Sequence, residues 1–190
     1  LNTGRRNLGG SGGVSSGLGF GGESSTVALI SNTELWNGSQ WTETSDLNSA
    51  RQNVKGAGPK SSNTSSIGFG GDNTTFTAAT EEWNADFGHG AWVTGVNINT
   101  AREYGAGIAN SQTSSILAGG ETQPSSVNVG LVEFWNGVSW VEEIDLNNNR
   151  RQGGSAGTST AGLLIGGAGP GGVADFTETW NGTSWTEVGD

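Results

Sequence analysis

An all-β fold of stacked, repeated modules, of the kind that form propeller blades, is predicted by three observations. These are a fourfold internal repeat, short β-prone runs bounded by glycine and asparagine, and eight regularly placed tryptophans. Each copy reads Leu-Asn-x-x-Arg (Ile-Asn in the third), then Gly-Gly, then Glu-x-Trp-Asn, then a second Trp. The copies run Leu1 to Asp46, Leu47 to Asn97, Ile98 to Asp145 and Leu146 to Asp190, so they tile all 190 residues as a single domain. A period of about 45 to 50 residues suits β-modules that complete their core by stacking on a neighbour.

The elements of one copy follow from its turn chemistry. A Gly-rich stretch (Asn7 to Ser15) precedes Gly17-Leu18-Gly19-Phe20, which ends at Gly21-Gly22. After a loop come Asn32 to Trp36, a turn, and Trp41 to Thr44. The second strands of the other copies end alike, with Ile67-Gly68-Phe69, Ile116-Leu117-Ala118 and Leu163-Leu164-Ile165 each running into a Gly-Gly doublet. Nothing here has the period of a helix. Between the third and fourth strands, Asn37-Gly38, Asn136-Gly137 and Asn181-Gly182 separate two tryptophans, and Asn-Gly suits the positive φ of a tight hairpin. The turn of the second copy is four residues longer, with Ala85-Asp86-Phe87-Gly88-His89-Gly90-Ala91 between Asn84 and Trp92.

The innermost segments are nearly all small: Gly9 to Gly13, Gly56 to Gly58, Gly105 to Gly107 and Gly153 to Gly157. Repeated glycine permits close backbone approach, which predicts that the four blades crowd into a compact closed ring. The alternative is a segment of a larger ring of roughly six to eight blades.

These residues resemble the kelch repeat. The resemblance rests on the Gly-Gly doublet closing strand two, the aromatic residue that follows, the closing Trp, and the Arg ten residues beyond it, as in Trp41 to Arg51, Trp92 to Arg102 and Trp140 to Arg150. It covers the whole chain, with Trp36, Trp83, Trp135 and Trp180 standing where kelch repeats more often carry Tyr. The Asn- and Gly-rich style is similar to kelch-like repeats of phage tail-fibre and bacterial surface proteins. The resemblance implies a β-propeller in which each repeat forms one four-stranded blade.

Composition narrows the function. A net charge of −10, with only eight Lys and Arg, argues against a nucleic-acid partner. No apolar run is long enough for membrane insertion, and no cysteine is present for a disulfide, a thiolate metal site or a nucleophile. The absence of Met suggests that Leu1 is an internal or processed start. Cofactors are not expected; surface carboxylates could hold Ca²⁺, but no Asp-x-Asp-x-Asp loop indicates it. Sequons at Asn37, Asn63, Asn73 and Asn181 could carry glycans in a glycosylating host.

The recurring polar set, Arg5, Arg51, Arg102 and Arg150 with Glu34, Glu82, Glu133 and Glu178, reads as repeated clamps between neighbouring blades rather than as an anion-binding ring. The tryptophans Trp36, Trp83, Trp135 and Trp180, with Trp41, Trp92, Trp140 and Trp185, read as blade core and inter-blade packing. Ligand contacts are therefore expected where the copies differ. The candidates are Asp86, Phe87 and His89 in the insertion, and Phe76 and Glu121 in the segments after Gly-Gly.

Catalysis is not expected. Copper oxidases of the kelch type need a Cys-linked Tyr and two His, whereas this chain has no Cys, one Tyr (Tyr104) and one His (His89). A sialidase-like site needs a Tyr nucleophile supported by acids, and the sequence does not visibly assemble one. The expectation is a noncatalytic extracellular or virion-surface module, an adhesin or fibre segment that binds a cell-surface glycan or protein or assembles with copies of itself. The alternatives are an intracellular protein-interaction scaffold and a polysaccharide-active enzyme with an unrecognised site.

Overall fold

The computed structural model describes residues 1–86 and 89–189, and every regular element among them is a strand. Four antiparallel sheets follow one another along the chain, each meandering through four strands in sequence order. The first comprises Gly9–Gly13, Ser16–Phe20, Thr33–Trp36 and Trp41–Thr44, and the second Lys55–Ala57, Ser65–Phe69, Thr80–Asn84 and Ala91–Thr94. The third comprises Ala106–Ser111, Ser114–Thr122, Val127–Trp135 and Trp140–Glu142, and the fourth Gly154–Thr158, Ala161–Ile165, Thr177–Trp180 and Trp185–Val188. The first strands of consecutive sheets pack side by side, which makes each sheet a blade and the whole a four-blade β-propeller arrangement.

The hairpins show how the Asn-Gly signal works. Trp36 lies opposite Trp41, and the Asn37 carboxamide oxygen accepts the Ser39 and Gln40 backbone N–H groups at 2.9 Å each. Asn136 and Asn181 repeat this. Only the glycine takes positive φ, +92° at Gly38; the asparagine contributes through its side chain. The expected tight Asn-Gly hairpin is thus a four-residue loop closed by a side-chain cap.

The Leu-Asn-x-x-Arg motif closes onto the third strand of its own blade. The Asn147 backbone N–H and carboxamide donate to Glu178 at 2.9 and 2.8 Å, while Arg150 reaches the other oxygen of that carboxylate at 3.0 Å. Asn48 and Arg51 grip Glu81 in the same way, with the guanidinium 3.0 Å away but not directed into a hydrogen bond. Arg5 pairs with Glu34 at 2.7 Å, and Arg102 pairs with Glu133. Two expectations are corrected here. The second blade uses Glu81 and not Glu82, because Glu81 is the residue two before Trp83, as Glu34 is two before Trp36. The ion pairs also lie within a repeat rather than between blades.

What crosses between blades is the arginine carbonyl. It accepts the N–H of the second glycine of the preceding doublet, Arg51 from Gly22 at 2.8 Å, Arg102 from Gly71 at 3.1 Å and Arg150 from Gly120 at 2.9 Å. Both glycines of each doublet have positive φ, and a Cβ on Gly21 would stand 2.7 Å from the Arg51 carbonyl oxygen. Only glycine satisfies both conditions.

Three apolar clusters join the blades. Phe20 meets Trp92 edge-on at 4.7 Å, Phe69 meets Trp140 at 5.0 Å, and Ala118 shares a cluster with Trp185. The Trp92 indole donates to the Thr33 hydroxyl at 2.9 Å and Trp140 to Thr80 at 3.2 Å. At the third junction the counterpart is Val132, and the buried Trp185 N–H has no acceptor among the described residues.

No fourth cluster links blade four to blade one among the described residues. Leu1 is 43% exposed where Leu47, Ile98 and Leu146 are buried, and Ile165 is 46% exposed where Phe20, Phe69 and Ala118 are buried. The four blades therefore form an open arc, contrary to the closure that the small inner residues suggested. The glycines serve a local purpose instead: a Cβ on Gly56 would stand 2.4 Å from the Gly10 carbonyl oxygen of the adjacent inner strand. That approach is needed between neighbouring blades whatever the size of the ring.

Candidate functional site

One step beyond the repeated Arg and one step beyond Gly-Gly, the copies stop matching. The residues after the Arg are Arg6, Gln52, Glu103 and Arg151, and those after the doublet are Glu23, Asp72, Glu121 and Ala168. They face each other as antiparallel backbone pairs within each blade. The next residues, Asn7, Asn53, Tyr104 and Gln152, all take φ between +54° and +59°, a turn that directs the chain into the inner strand. Together these positions form a rim at one end of the arc, with the strand-connecting hairpins at the other end.

The rim is linked from blade to blade by side chains. Arg6 donates to Glu23 at 2.8 Å. Asn7 donates to Gln52 at 3.1 Å across the first junction, and Gln52 donates on to Asp72 at 3.3 Å. Asn53 donates to Glu103 at 2.7 Å across the second junction. Across the third, Arg151 pairs with Glu121 and lies 5.7 Å above the Tyr104 ring. Burial pushes the Glu103 carboxyl above its ordinary range, with nearby Asp72 adding to the rise and the Asn53 bond and Arg151 opposing it.

Several concavities adjoin the rim, among them one of about 590 Å³ beside Arg6 and Glu23 on blade one. A groove of about 330 Å³ between blades three and four is lined by Ser126, Val127, Asn128, Asn149, Arg151, Gly169 and Pro170. It presents a part-exposed guanidinium beside two carboxamides, donors suited to carboxylates and sugar hydroxyls. On the arc's axis, a cavity of about 320 Å³ is lined by all four inner strands and contains Lys55, whose ammonium is pushed to lower pKa by burial. No grouping of three or more His, Asp or Glu side chains suited to a metal ion occurs among the described residues.

The expected site residues are divided by this geometry. Glu121 is on the rim, carried on a strand because the second and third strands of blade three run on past Gly119-Gly120 through a register shift. Phe76 is half-buried in the loop after Gly70-Gly71 and bridges back to Asp72. Asp86 and His89 belong to the opposite end: Asp86 is exposed with its N–H on Asn84 at 2.8 Å, and the His89 carbonyl accepts the Thr44 hydroxyl. Phe87 lies outside the described residues. Glu82 is half-buried, receives Gln112 at 3.3 Å across a junction, and has its pKa raised by burial. On the stretch that follows each Arg, the rim residues that the sequence reading missed are Arg6, Asn7, Gln52, Asn53, Glu103, Tyr104, Arg151 and Gln152.

No protein-family model matches the chain, and no curated protein matches it. A solved structure described as the structure of YjhT superposes with a TM-score of 0.80 at 14% identity, covering 100% of this chain and 70% of that one. Likeness at that identity establishes the fold, a β-propeller, and leaves the chemistry to the residues themselves.

Proposed function

We propose that the chain is a noncatalytic, kelch-like propeller displayed outside the cell or on a virion, which binds a cell-surface glycan or protein through its rim. The observation that carries this reading is the contrast between a frame repeated four times and a rim whose counterparts are Arg6, Gln52, Glu103 and Arg151. Loops on a rigid propeller frame are where specificity is placed. Arg151 beside Asn128, Asn149 and Tyr104 suits an acidic or polyhydroxylated ligand, for which the guanidinium supplies charge and the ring a stacking face.

The lone His89 sits at the end opposite Tyr104 and Arg151, which speaks against a shared acid–base site. A glycan array followed by turnover assays on every bound sugar tests the proposal. Binding without turnover, lost in Arg151→Ala, is the expected result. Turnover would replace the binding module with an enzyme, and binding indifferent to Arg151 would move the ligand away from the rim.

A further inference from the structure

We propose that the axial cavity is, through Lys55 and Ser155, a binding site for a small oxyanion, a carboxylate or a phosphate group. None of its residues belongs to the rim, and the site does not depend on what the rim binds.

The inner strands are built from small residues. Four residues after each repeated Arg come Gly9, Lys55, Ala106 and Gly154, and one residue further come Gly10, Gly56, Gly107 and Ser155. The Gly10 and Gly56 carbonyl oxygens press so closely on the next inner strand that a Cβ on Gly56 or Gly107 would stand 2.4 or 3.2 Å from them. Packing of the frame therefore accounts for glycine and alanine here, and for neither Lys55 nor Ser155. These two carry the polar side chains of the cavity lining, whose other residues are Gly, Ala, Val and Leu.

Lys55 is a cation without a counter-ion. Among the described residues its ammonium makes no ion pair, although the chain holds 18 Asp and Glu. Burial lowers its pKa and no carboxylate opposes that shift. Its setting belongs to the interior of the chain: a Cβ on Gly107 of blade three would stand 3.7 Å from the Lys55 Cβ, and the Ser155 hydroxyl of blade four donates to the Gly107 carbonyl at 2.9 Å.

A part-buried ammonium is costly until an anion pairs with it. Its three N–H donors, and a hydroxyl able to turn from the Gly107 carbonyl, suit the lone pairs of an oxyanion. At about 320 Å³ the cavity is at the small end of ligand sites, which span roughly 300–1,000 Å³, so it fits a small acid better than an oligosaccharide. The net charge of −10 repels loosely held anions, and an anion retained here is retained by local contacts.

The chain has two lysines, Lys55 and the exposed Lys60, so labelling with ¹³C-lysine places one reporter in the cavity and one control outside it. NMR titrations with sodium phosphate and with sodium acetate, each against sodium chloride at equal ionic strength, test the site. The Lys55 signal is expected to shift and saturate with at least one of the two, and its titration midpoint to rise, because a bound anion favours the charged ammonium. The preferred salt distinguishes phosphate from carboxylate. Lys55→Ala installs the residue of the third copy, so it should keep the circular dichroism spectrum and lose the gain in melting temperature that the bound anion gives wild type. Ser155→Gly, the residue of the other three copies, should weaken binding roughly threefold to tenfold. A Lys55 signal indifferent to both salts overturns the proposal. So does a shift that Lys60 shares or chloride reproduces, or an anion-induced gain in melting temperature that survives Lys55→Ala.

Discussion

Arg102 and Glu103 are neighbours in the chain and belong to different parts of the molecule. The Arg102 side chain is fully buried, paired with Glu133 and bonded to the Gly119 carbonyl at 3.1 Å, and its own carbonyl ties the blade to Gly71. Its counterparts are arginine in every copy. Glu103 faces Asn53 across a junction, and its counterparts are Arg6, Gln52 and Arg151. One residue step therefore separates a position held by the requirements of every blade from a position held by none of them. The frame tolerates little because its side chains satisfy buried groups; the rim varies because its groups reach solvent or each other.

The largest test of this contrast is Arg102→Ala. Removing the guanidinium leaves the Glu133 carboxylate buried with only the Asn99 and Thr100 N–H groups as donors, and should cost about 3–5 kcal/mol in denaturant unfolding. Arg151→Ala removes a pair that is one-third exposed on the arginine side, so water can reach the vacated space and hydrate the Glu121 carboxylate, and it should cost less than Arg102→Ala in the same measurement. Equal costs for the two would erase the distinction between frame and rim.

Val132→Thr sharpens the contrast from the frame side. It would give the Trp185 indole the acceptor that Thr33 and Thr80 give Trp92 and Trp140, and should raise stability by about 1 kcal/mol, read as a higher melting temperature. An unchanged or lower melting temperature would show that the third junction does not share the geometry of the first two.

The smallest expected effect lies on the rim. The folded protein holds Glu103 above the ordinary value of 4.5, so it binds a proton that the unfolded chain has already released. The contribution of this group to stability is therefore greatest below that value and falls as pH rises through the raised one. Glu103→Gln stays neutral while still accepting from Asn53, so its stability relative to wild type should increase with pH across this window. Parallel stability–pH curves for the two proteins would contradict the raised carboxyl.

Much of the frame was legible because its signals are local. The Gly-Gly doublets end their strands where expected in blades one, two and four, blade three running on through its doublet, and the Trp-Asn-Gly turns close hairpins with Trp opposite Trp. The error at Glu82 arose in a Glu81-Glu82 doublet, where counting back two residues from Trp83 selects the right one. The rim was legible only in part. Glu121 was reached through the variable segments after Gly-Gly, but the mismatch immediately after each Arg was the stronger signal. Nothing local marks it, because Glu103 and Arg151 meet their partners across junctions between stacked blades. The insertion at Asp86 and His89 differs most in sequence yet lies at the far end of the blades.

By itself the sequence determined the blade. A strand register, a capped turn and a buried Arg–Glu–Asn grip within one repeat depend on contacts inside about 45 to 50 residues, and those contacts recur wherever the motif recurs. Only the tertiary structure decided how many junctions form and which unlike residues meet across them. Arg151 reaches Tyr104 and Glu121, and Asn53 reaches Glu103, because stacking brings the rim segments of successive repeats side by side. The open arc has the same origin: closure depends on the rotation accumulated over every junction, a quantity that no single repeat encodes.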